Sequence, residues 1–296
     1  ERSAVLLLIE VTYRSDLPEI YQLPLTFAKD HQAGALEETY PAAVISMLQL
    51  GKENGILYDA YFGAELQQAR FQKMAQRKKI HLDGSEISFW GSKAMKDYAT
   101  SHRRIKPKIA AVEQSNSSIT FDNNFFLKIY RKVDRAINPD LEITSYLARN
   151  TSFNNVPAYL GAIQWKDRKD TLVLAMMQEM VPNYGDGWSY MLDQLHRFNE
   201  KLSSEQHRKI LEQPFAGSLE RPMSYTELPE DIQELIDVTA AERARLLGVR
   251  TGEMHLTLAN EAENPDFRPE PFSLHYQRSL FSSFQTSVRG SFQNLA

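Results

Sequence analysis

An α+β fold is predicted from the order in which hydrophobic patterns occur along the 296-residue chain. Apolar runs typical of strands dominate the first 182 residues. One capped helix pattern interrupts them after the third strand of the middle section, and only helical patterns follow Pro182. Runs of strands followed by runs of helices are typical of the α+β class.

The composition is that of an ordinary globular protein, with 42% apolar and 24% charged residues. A net charge of −4 gives no sign of a nucleic-acid or membrane partner. The early apolar run "AVLLLIEV" is too short to cross a bilayer. The absence of cysteine excludes disulfides and thiolate metal sites, and it fits the cytoplasmic location that we expect.

Residues 1–104 are expected to form a separate, mostly antiparallel α+β domain. Two strands around a Pro-containing turn are predicted over 4–28, with further strands in "AAVISMLQL" and "GILYDAY". The run "AYFGAELQQARFQKMAQRKK" has the periodicity of an amphipathic helix. A hairpin follows in "KIHLDGSEISFW", because Asp83 and Gly84 suit a two-residue turn. The basic stretch "SHRRIKPK" is the predicted boundary.

Residues 105–182 are expected to form a five-stranded antiparallel sheet with one helix. The first three strands are "KIAAVEQ", "SSITF" and "FFLKIYRKV", and the residues 122–124 suit the turn between the last two. In "NPDLEITSYLARN", Asn138 is the predicted N-cap and Pro139 fits the first helical position. "YLGAIQW" and "TLVLAMMQEM" supply the remaining strands, and residues 183–296 are predicted to be helical.

A lysine on the third of these strands indicates a nucleotide site. Five strands with a helix after the third, followed by helices, is the layout of a protein-kinase-like fold, in which a strand lysine reaches the ATP phosphates and a glutamate on the next helix holds it. Lys128 lies between two aromatic residues on one strand face, so it needs an anionic partner. Glu142 is the predicted partner and Asp140 the competing one. A snorkelling edge lysine is the structural alternative.

The turn that precedes this lysine is the predicted phosphate-covering loop. It consists of Ser115, Asn116, Ser117 and Ser118, whose hydroxyl and backbone N–H groups can donate to phosphate oxygens. "EQSNSS" contains no glycine, which restricts close backbone approach. A polar β-turn with no ligand explains the same residues.

Longer strings, taken in order, resemble the maltokinase family. They are "EQSNSSI", "FLKIYRKV", "INPDLEITSYL", "QEMVPNYGDGW" and "RTGEMHLTLA". The likeness is strongest to the maltokinase-like domain fused behind trehalose synthase in some bacterial polypeptides, and it covers nearly the whole chain. The first hundred residues resemble, more weakly, the N-terminal cap of those kinases.

The resemblance implies ATP-dependent, Mg²⁺-requiring phosphorylation of maltose to maltose 1-phosphate. It implies a cap at 1–104, a kinase-like N-lobe at 105–182 and a partial helical C-lobe at 183–296. The site residues that it carries over are the phosphate loop Ser115, Asn116, Ser117 and Ser118, the ion pair Lys128 and Glu142, the adenine-side Phe126, and the hinge residues Gln178, Glu179, Met180 and Val181.

The resemblance also shows what this chain lacks. Family members carry a catalytic loop of the type "HGDxHxxQ" and a metal-binding Asp, and neither motif is found. "IHLDGSE" comes before Lys128 and is expected to be a hairpin tip, while His255 is expected to be a core histidine. Asp186 is expected to cap the helix beginning at "GDGW". Trp188 is expected to be a core aromatic, with a sugar-facing position as the alternative.

We therefore expect a piece of a longer polypeptide, inactive by itself, whose parent binds nucleotide and maltose and is fused to a trehalose synthase domain. The alternative is a non-catalytic binding or oligomerisation module attached to that synthase. An unrelated α+β binding protein is a third hypothesis, which requires the ordered motifs to be coincidental.

Overall fold

The computed structural model describes residues 4–112, 116–167, 170–202, 221–260 and 264–295. Its strands are β1 (Val5–Val11), β2 (Glu19–Lys29), β3 (Val44–Leu50), β4 (Glu53–Asp59), β5 (Lys79–Leu82), β6 (Ser85–Gly91), β7 (Pro107–Val112), β8 (Asn116–Phe121), β9 (Phe125–Tyr130), β10 (Lys132–Val133), β11 (Tyr159–Asp167) and β12 (Asp170–Glu179). Its helices are α1 (Asp30–Thr39), α2 (Ala64–Ala75), α3 (Lys93–Ser101), α4 (Pro139–Asn150), α5 (Gly187–Leu202), α6 (Glu230–Leu235), α7 (Val238–Ala259) and α8 (Leu274–Leu295). The mixed α/β composition with antiparallel sheets confirms the predicted class.

The chain divides into two compact units, Glu1–Asp193 and Gln194–Ala296. The first unit contains both sheets. The smaller sheet has the order β1-β2-β4-β3, and β10 pairs with β2 through the partners Lys132 with Tyr21 and Val133 with Ile20. A strand from the middle section of the sequence therefore completes the sheet of the first section.

The larger sheet has seven strands in the order β5-β6-β11-β12-β9-β8-β7, and all its neighbours are antiparallel. The five strands predicted over 105–182 are present and contiguous, with α4 inserted between β9 and β11. The sheet is nevertheless larger than the five strands predicted. The β5–β6 hairpin, predicted as part of the cap, extends it, because β6 pairs along the whole of β11 from Gly91 opposite Gly161 to Ser85 opposite Asp167.

Two glycines lie where β6 meets β11 and helix α2. A Cβ added to Gly161 would lie 2.3 Å from the Trp90 carbonyl oxygen, and one added to Gly91 would lie 2.4 Å from the Met74 carbonyl oxygen. No side chain fits at either position: Gly161 allows β11 to approach β6 across the predicted domain boundary, and Gly91 allows β6 to approach α2. Strands from before and after the predicted boundary near residue 104 thus belong to one continuous sheet.

Two helices were not predicted from the sequence. Helix α3 begins with the Ser92 side chain accepting a hydrogen bond from the Met95 N–H at 3.3 Å, an ordinary N-cap. Helix α1 contains Gly34 in its interior and has no side-chain cap, so its local signals are weak.

A large part of the main core lies between α2 and one face of the larger sheet. Leu127 and Ile129 of β9 face it, and α2 packs Phe71 and Met74 against it. The Phe71 ring lies 5.1 Å from Phe121 and 5.0 Å from Phe125, measured between centroids. Because side chains alternate along a strand, Phe126, Lys128 and Tyr130 lie on the opposite face.

The second unit is helical in its described part, as predicted for this region. The Tyr225 hydroxyl contacts the carbonyl oxygens of Gln233 and Ile236 at 3.0 and 3.2 Å, and Asp237 caps α7 through the N–H groups of Thr239 and Ala240. Within the described ranges, we find no helix with the length and hydropathy needed to cross a membrane.

Candidate functional site

The candidate site is built around Lys128 in the middle of β9. The Lys128 side chain is 31% exposed, and its Nζ lies 2.6 Å from Asp140 Oδ2. The Tyr130 hydroxyl donates a hydrogen bond to the same carboxylate oxygen at 3.0 Å. The Lys128 Nζ also lies 5.7 Å from the centre of the Tyr130 ring. A half-buried cation is therefore fixed between an aromatic face and one carboxylate.

Helix α4 places that carboxylate. Asn138 caps the helix by accepting a hydrogen bond from the Leu141 N–H at 3.1 Å, and Pro139 occupies the first helical position, as predicted. Asp140 follows in the first turn, where the N-terminal end of the helix dipole stabilises a negative charge. The local sequence thus fixes both the start of the helix and the position of the anion.

The predicted ion pair between Lys128 and Glu142 is not formed. The partner is Asp140, and Glu142 makes no ion pair with a described residue. Successive helical residues are separated by about 100°, so two positions further along, the side chain points roughly to the other side of the helix. Sequence order alone does not decide which of the two carboxylates faces the strand.

The hydroxyl group of Tyr130 strengthens the anionic side of the pair. Burial and the nearby Asp140 carboxylate raise the pKa of Tyr130 far above its usual value. The hydroxyl therefore stays protonated and remains a donor to Asp140 at any physiological pH. Asp140 receives one donor from each of two residues that alternate along β9.

The predicted phosphate loop differs from the structure in most of its residues. Asn116, Ser117 and Ser118 belong to strand β8, and Ser115 lies outside the described residues. Ser117 is only 2% exposed, and its Oγ accepts a hydrogen bond from Arg131 Nε at 2.8 Å. Ser118 pairs with Lys128 across the ladder. These three residues are therefore part of a strand and not of a loop, because the alternation of buried and half-buried residues in β8 begins at Asn116.

Arg131, directly after β9, is a site-supporting residue that sequence reasoning missed. Its guanidinium donates to Asp59 Oδ2 at 2.5 Å and lies 4.1 Å from the centre of the Tyr61 ring. Asp59 also accepts a hydrogen bond from the Tyr61 N–H at 2.9 Å. Both charged side chains are almost buried. The only sequence signal was an isolated Asp in the apolar string "GILYDAY", with no local indication of its partner.

Gln22 of β2 is a second missed residue, and it joins the two sheets. Its Nε2 donates to the carbonyl oxygens of Tyr130 at 2.5 Å and Leu174 at 2.6 Å. Its Oε1 accepts a hydrogen bond from the Tyr61 hydroxyl at 2.5 Å. The buried amide thus satisfies two backbone acceptors on the strands β9 and β12 that flank the site.

Arg149, in the last turn of α4, anchors the other end of the helix. Its guanidinium lies 4.3 Å from the Trp90 ring and 4.4 Å from the Tyr159 ring, and these two rings stack at 5.5 Å. Cation–π contacts of this kind stabilise by about 0.5–1 kcal/mol at exposed sites. Together with the cap at Asn138, this contact fixes both ends of the helix that carries Asp140.

The predicted hinge lies at the end of β12. Gln178 stands opposite Phe126 in the ladder, so the predicted adenine-side residues are neighbours. The Glu179 N–H donates to the Ala158 carbonyl oxygen at 2.9 Å, and the Met180 N–H donates to the Asn124 carbonyl oxygen at 3.0 Å. The N–H groups of Glu179 and Met180 are therefore both used within the protein, and Val181 lies half-exposed beyond the strand.

Other candidates from the sequence are distributed as follows. Asp186 caps α5 as predicted, since its Oδ1 accepts a hydrogen bond from the Ser189 N–H at 2.8 Å, and this hydrogen bond lowers the pKa of Asp186. Trp188, predicted in the core, is 76% exposed, and His255, also predicted in the core, is exposed. His81 lies on the β5–β6 hairpin as predicted, 3.3 Å from Glu86. Among the described residues, no group of three or more His, Asp or Glu side chains is arranged to hold a metal ion.

No protein-family model matches this chain. Among solved structures, similar chains are glucosamine kinases, one of them in complex with glucosamine, ADP and inorganic phosphate. That complex has 14% sequence identity and a TM-score of 0.42, over 87% of this chain and 47% of the other. Another glucosamine kinase structure, crystal form A, has 14% identity and a TM-score of 0.39, over 86% of this chain and 45% of the other. The chain thus spans about half the length of these structures. A likeness at this level establishes neither fold nor function.

Proposed function

We propose that this chain forms the nucleotide-binding part of an ATP-dependent sugar kinase. The observation that carries the proposal is Lys128, held half-buried on its strand by Asp140 at the capped start of α4. A strand lysine paired to a carboxylate on the next helix is the arrangement that kinase-like folds use to hold ATP phosphates. Here both ends of the helix are fixed, so the lysine is preorganised.

The charges around Lys128 fit a phosphate group. An ammonium has three N–H donors, and the two described contacts leave donors for a further anion. The ion pair with Asp140 fixes the position of the Lys128 ammonium group, while Tyr130 remains neutral beside it. Bound ATP would supply the transferable phosphoryl group, with Lys128 orienting its phosphates and Phe126 and Val181 on the adenine side.

The Mg²⁺ ion that kinases use has no assigned ligands in this chain. The described residues contain no suitable cluster of carboxylates or histidines. Asp140 is engaged by Lys128 and Tyr130, so we assign it no metal. We derive no step through the ion, because the described residues do not fit it.

The finer proposal is that the parent protein phosphorylates maltose to maltose 1-phosphate and is fused to a trehalose synthase domain. Its support is the ordered resemblance to maltokinases described above. The chain alone should produce no maltose 1-phosphate, because the base that orients the attacking hydroxyl contributes typically ~10²–10⁴-fold and is missing with the metal ligand.

Nucleotide binding tests the first proposal directly. Titration of the 296-residue chain with a fluorescent ATP analogue should give saturable binding that Lys128→Met weakens roughly tenfold or more, because a charge-assisted contact is lost. Asp140→Asn should weaken binding severalfold, whereas Glu142→Gln should leave it unchanged. Lys166→Met, an exposed lysine near the end of β11, is the matched control. Equal affinity in the Lys128 and Lys166 variants would reject the site.

Activity tests the finer proposal. An assay with ATP and maltose should detect turnover by a chain extended through its downstream segment and none by the 296-residue chain. Comparable turnover by both would show that the catalytic residues lie within this sequence. Activity in neither, with maltose or other sugars, would favour the non-catalytic module.

A further inference from the structure

A cavity lies on the side of β9 opposite Lys128. It has a volume of about 360 Å³ and is bounded by β1 and β2, by the β5–β6–β11 part of the larger sheet, and by α2. Ile129, the neighbour of Lys128, lines it. Most of its walls are aliphatic or aromatic, including Leu6, Leu8, Ile80, Ile87, Ile163 and Trp165.

The charged residues of this cavity have one sign. Arg70 and Lys73, one helical turn apart on α2, both line it, and no Asp or Glu does. Among the described residues, neither cation has a carboxylate within 4.0 Å. Arg70 is in contact with neutral groups, since it lies 4.4 Å from the centre of the Tyr61 ring and 3.5 Å from Gln67 Oε1. Both cations are therefore available to an anion.

The combination of walls and charges limits the ligand chemistry. Apolar walls favour an aliphatic body, because each Å² of apolar surface removed from water contributes about 25 cal/mol. A sugar would leave its hydroxyl groups unpaired against these walls, which is costly. A cationic head group would be repelled by the pair on α2. An apolar pocket with a few convergent polar groups is the usual form of a small-molecule site.

We propose that this cavity binds a monomeric amphiphile with an aliphatic chain and one anionic head group, such as a medium-chain carboxylate. The chain would contact Leu6, Leu8 and Ile87, and the head group would face Arg70 and Lys73. The site is separate from the nucleotide site and does not depend on it. Gln22, which also lines the cavity, contacts the backbone of β9, so the ligand would lie directly behind the lysine strand.

Calorimetric titration of the full chain with dodecanoate, below its micellar concentration, tests this site. Dodecanoate should bind saturably and dodecylammonium should not. Shortening the chain should weaken binding about fourfold for each methylene that is lost from an apolar contact. Lys73→Gln should weaken dodecanoate binding about fivefold, with Lys78→Gln, exposed just beyond the same helix, as the matched control.

A second variant tests location without depending on charge. Ala69 on α2 lines the cavity and is also accessible to solvent, so the larger side chain of Ala69→Phe should fill the cavity and abolish dodecanoate binding. Ala64→Phe, on the same helix but outside the cavity, should leave binding unchanged. Equal binding of dodecanoate and dodecylammonium, or full binding by Ala69→Phe, would overturn the proposal. Binding to phosphatidylglycerol vesicles without binding to monomeric dodecanoate would also overturn it, since the surface would then be a membrane contact. ATP affinity, measured separately, stays unchanged in Lys73→Gln.

Discussion

The charged side chains next to the site are held by partners that are remote in sequence. Arg131 follows the lysine strand, while Asp59 ends β4 in the other sheet, and the two meet in a nearly buried ion pair. Such a pair contributes little relative to apolar residues, but its disruption is costly because the remaining charge stays buried. This pair and Gln22 fix the position of β9 relative to the smaller sheet.

Asp59→Asn should therefore destabilise the protein strongly. We expect the free energy of unfolding to fall by about 3 kcal/mol, because Arg131 keeps its charge and loses its counter-ion. Glu53→Gln, which breaks the exposed pair with Lys29, should cost at most about 1 kcal/mol. Urea denaturation of both variants measures the difference, and a larger loss in Glu53→Gln would contradict the assignment.

Glu19 gives a pH-dependent prediction. Lys132, Tyr21 and Tyr13 donate hydrogen bonds to its carboxylate and lower its pKa from 4.5 to about 2. A carboxyl group with a lowered pKa stabilises the fold above its unfolded pKa, and that contribution is lost as the pH falls through the folded value. Glu19→Gln should thus be less stable than the parent near neutral pH, and the gap should close between pH 4.5 and about 2. Denaturant midpoints measured across that range would contradict this if the gap stayed constant.

At the residue scale, the sequence predicted that Lys128 needs an anionic partner, and the structure gives it Asp140. Lys128 could be found because a cation between two aromatics in a strand is chemically conspicuous. Its partner could not be decided between Asp140 and Glu142, because the choice depends on the rotation of α4 about its axis. Ser117 was assigned to a loop because the sequence does not show that its hydroxyl accepts a hydrogen bond from Arg131, and a serine at this position is also common in turns.

At the element scale, glycines control how the strands and helices approach one another. Gly91 and Gly161 lie where β6, β11 and α2 come together, and a Cβ at either would overlap backbone atoms. Gly34, by contrast, is exposed on helix α1, with nothing within 4 Å of an added Cβ. The same substitution should therefore have opposite effects at these positions.

Gly91→Ala should destabilise the protein by several kcal/mol or prevent folding, since the atom it meets is the Met74 carbonyl oxygen and cannot turn away. Gly34→Ala should stabilise the protein by roughly 0.5–1 kcal/mol, because alanine is the better helix former. Thermal unfolding followed by circular dichroism compares the two. Similar changes in both variants would mean that β6 and α2 are less closely packed than described.

Most elements could be predicted because their signals are local. The cap at Asn138, the Asp83-Gly84 turn and the alternation of β9 each depend on a few neighbouring residues. Helix α1 was missed because Gly34 weakens its propensity and no capping residue marks its start. The exposure of Trp188 could not be predicted, because a helical pattern does not show whether another element packs against that face of the helix.

At the scale of the whole molecule, strand pairing crosses the predicted domain boundary twice. Strand β6 pairs with β11, and β10 pairs with β2. Neither pairing is visible in sequence, because a strand pattern does not identify its partner. The expectation of a cap that separates at 104 followed from local composition alone, whereas the compact unit observed is Glu1–Asp193.

A chain of residues 1–193 should therefore fold by itself, and a chain of residues 1–104 should not. The shorter chain would expose the β6 edge and the apolar face that normally contacts β9, β11 and β12. We expect the NMR spectrum of residues 1–193 to show dispersed amide signals. Residues 1–104 should instead aggregate or show the poorly dispersed amide signals of an unfolded chain. A well-folded 1–104 would instead support the original boundary.

The meeting of Gly91 with Gly161 also has a consequence for synthesis. Translation delivers the N-terminal strands first, at about 5–20 residues per second. Strand β6 can pair early with β5, but its other edge must stay open until β11 has left the ribosome, and β11 in turn needs β12 beside it. Non-local pairings of this kind form slowly. The nascent chain should therefore bind holdase chaperones through its first hundred residues, and slowing translation after β6 should lengthen that exposure.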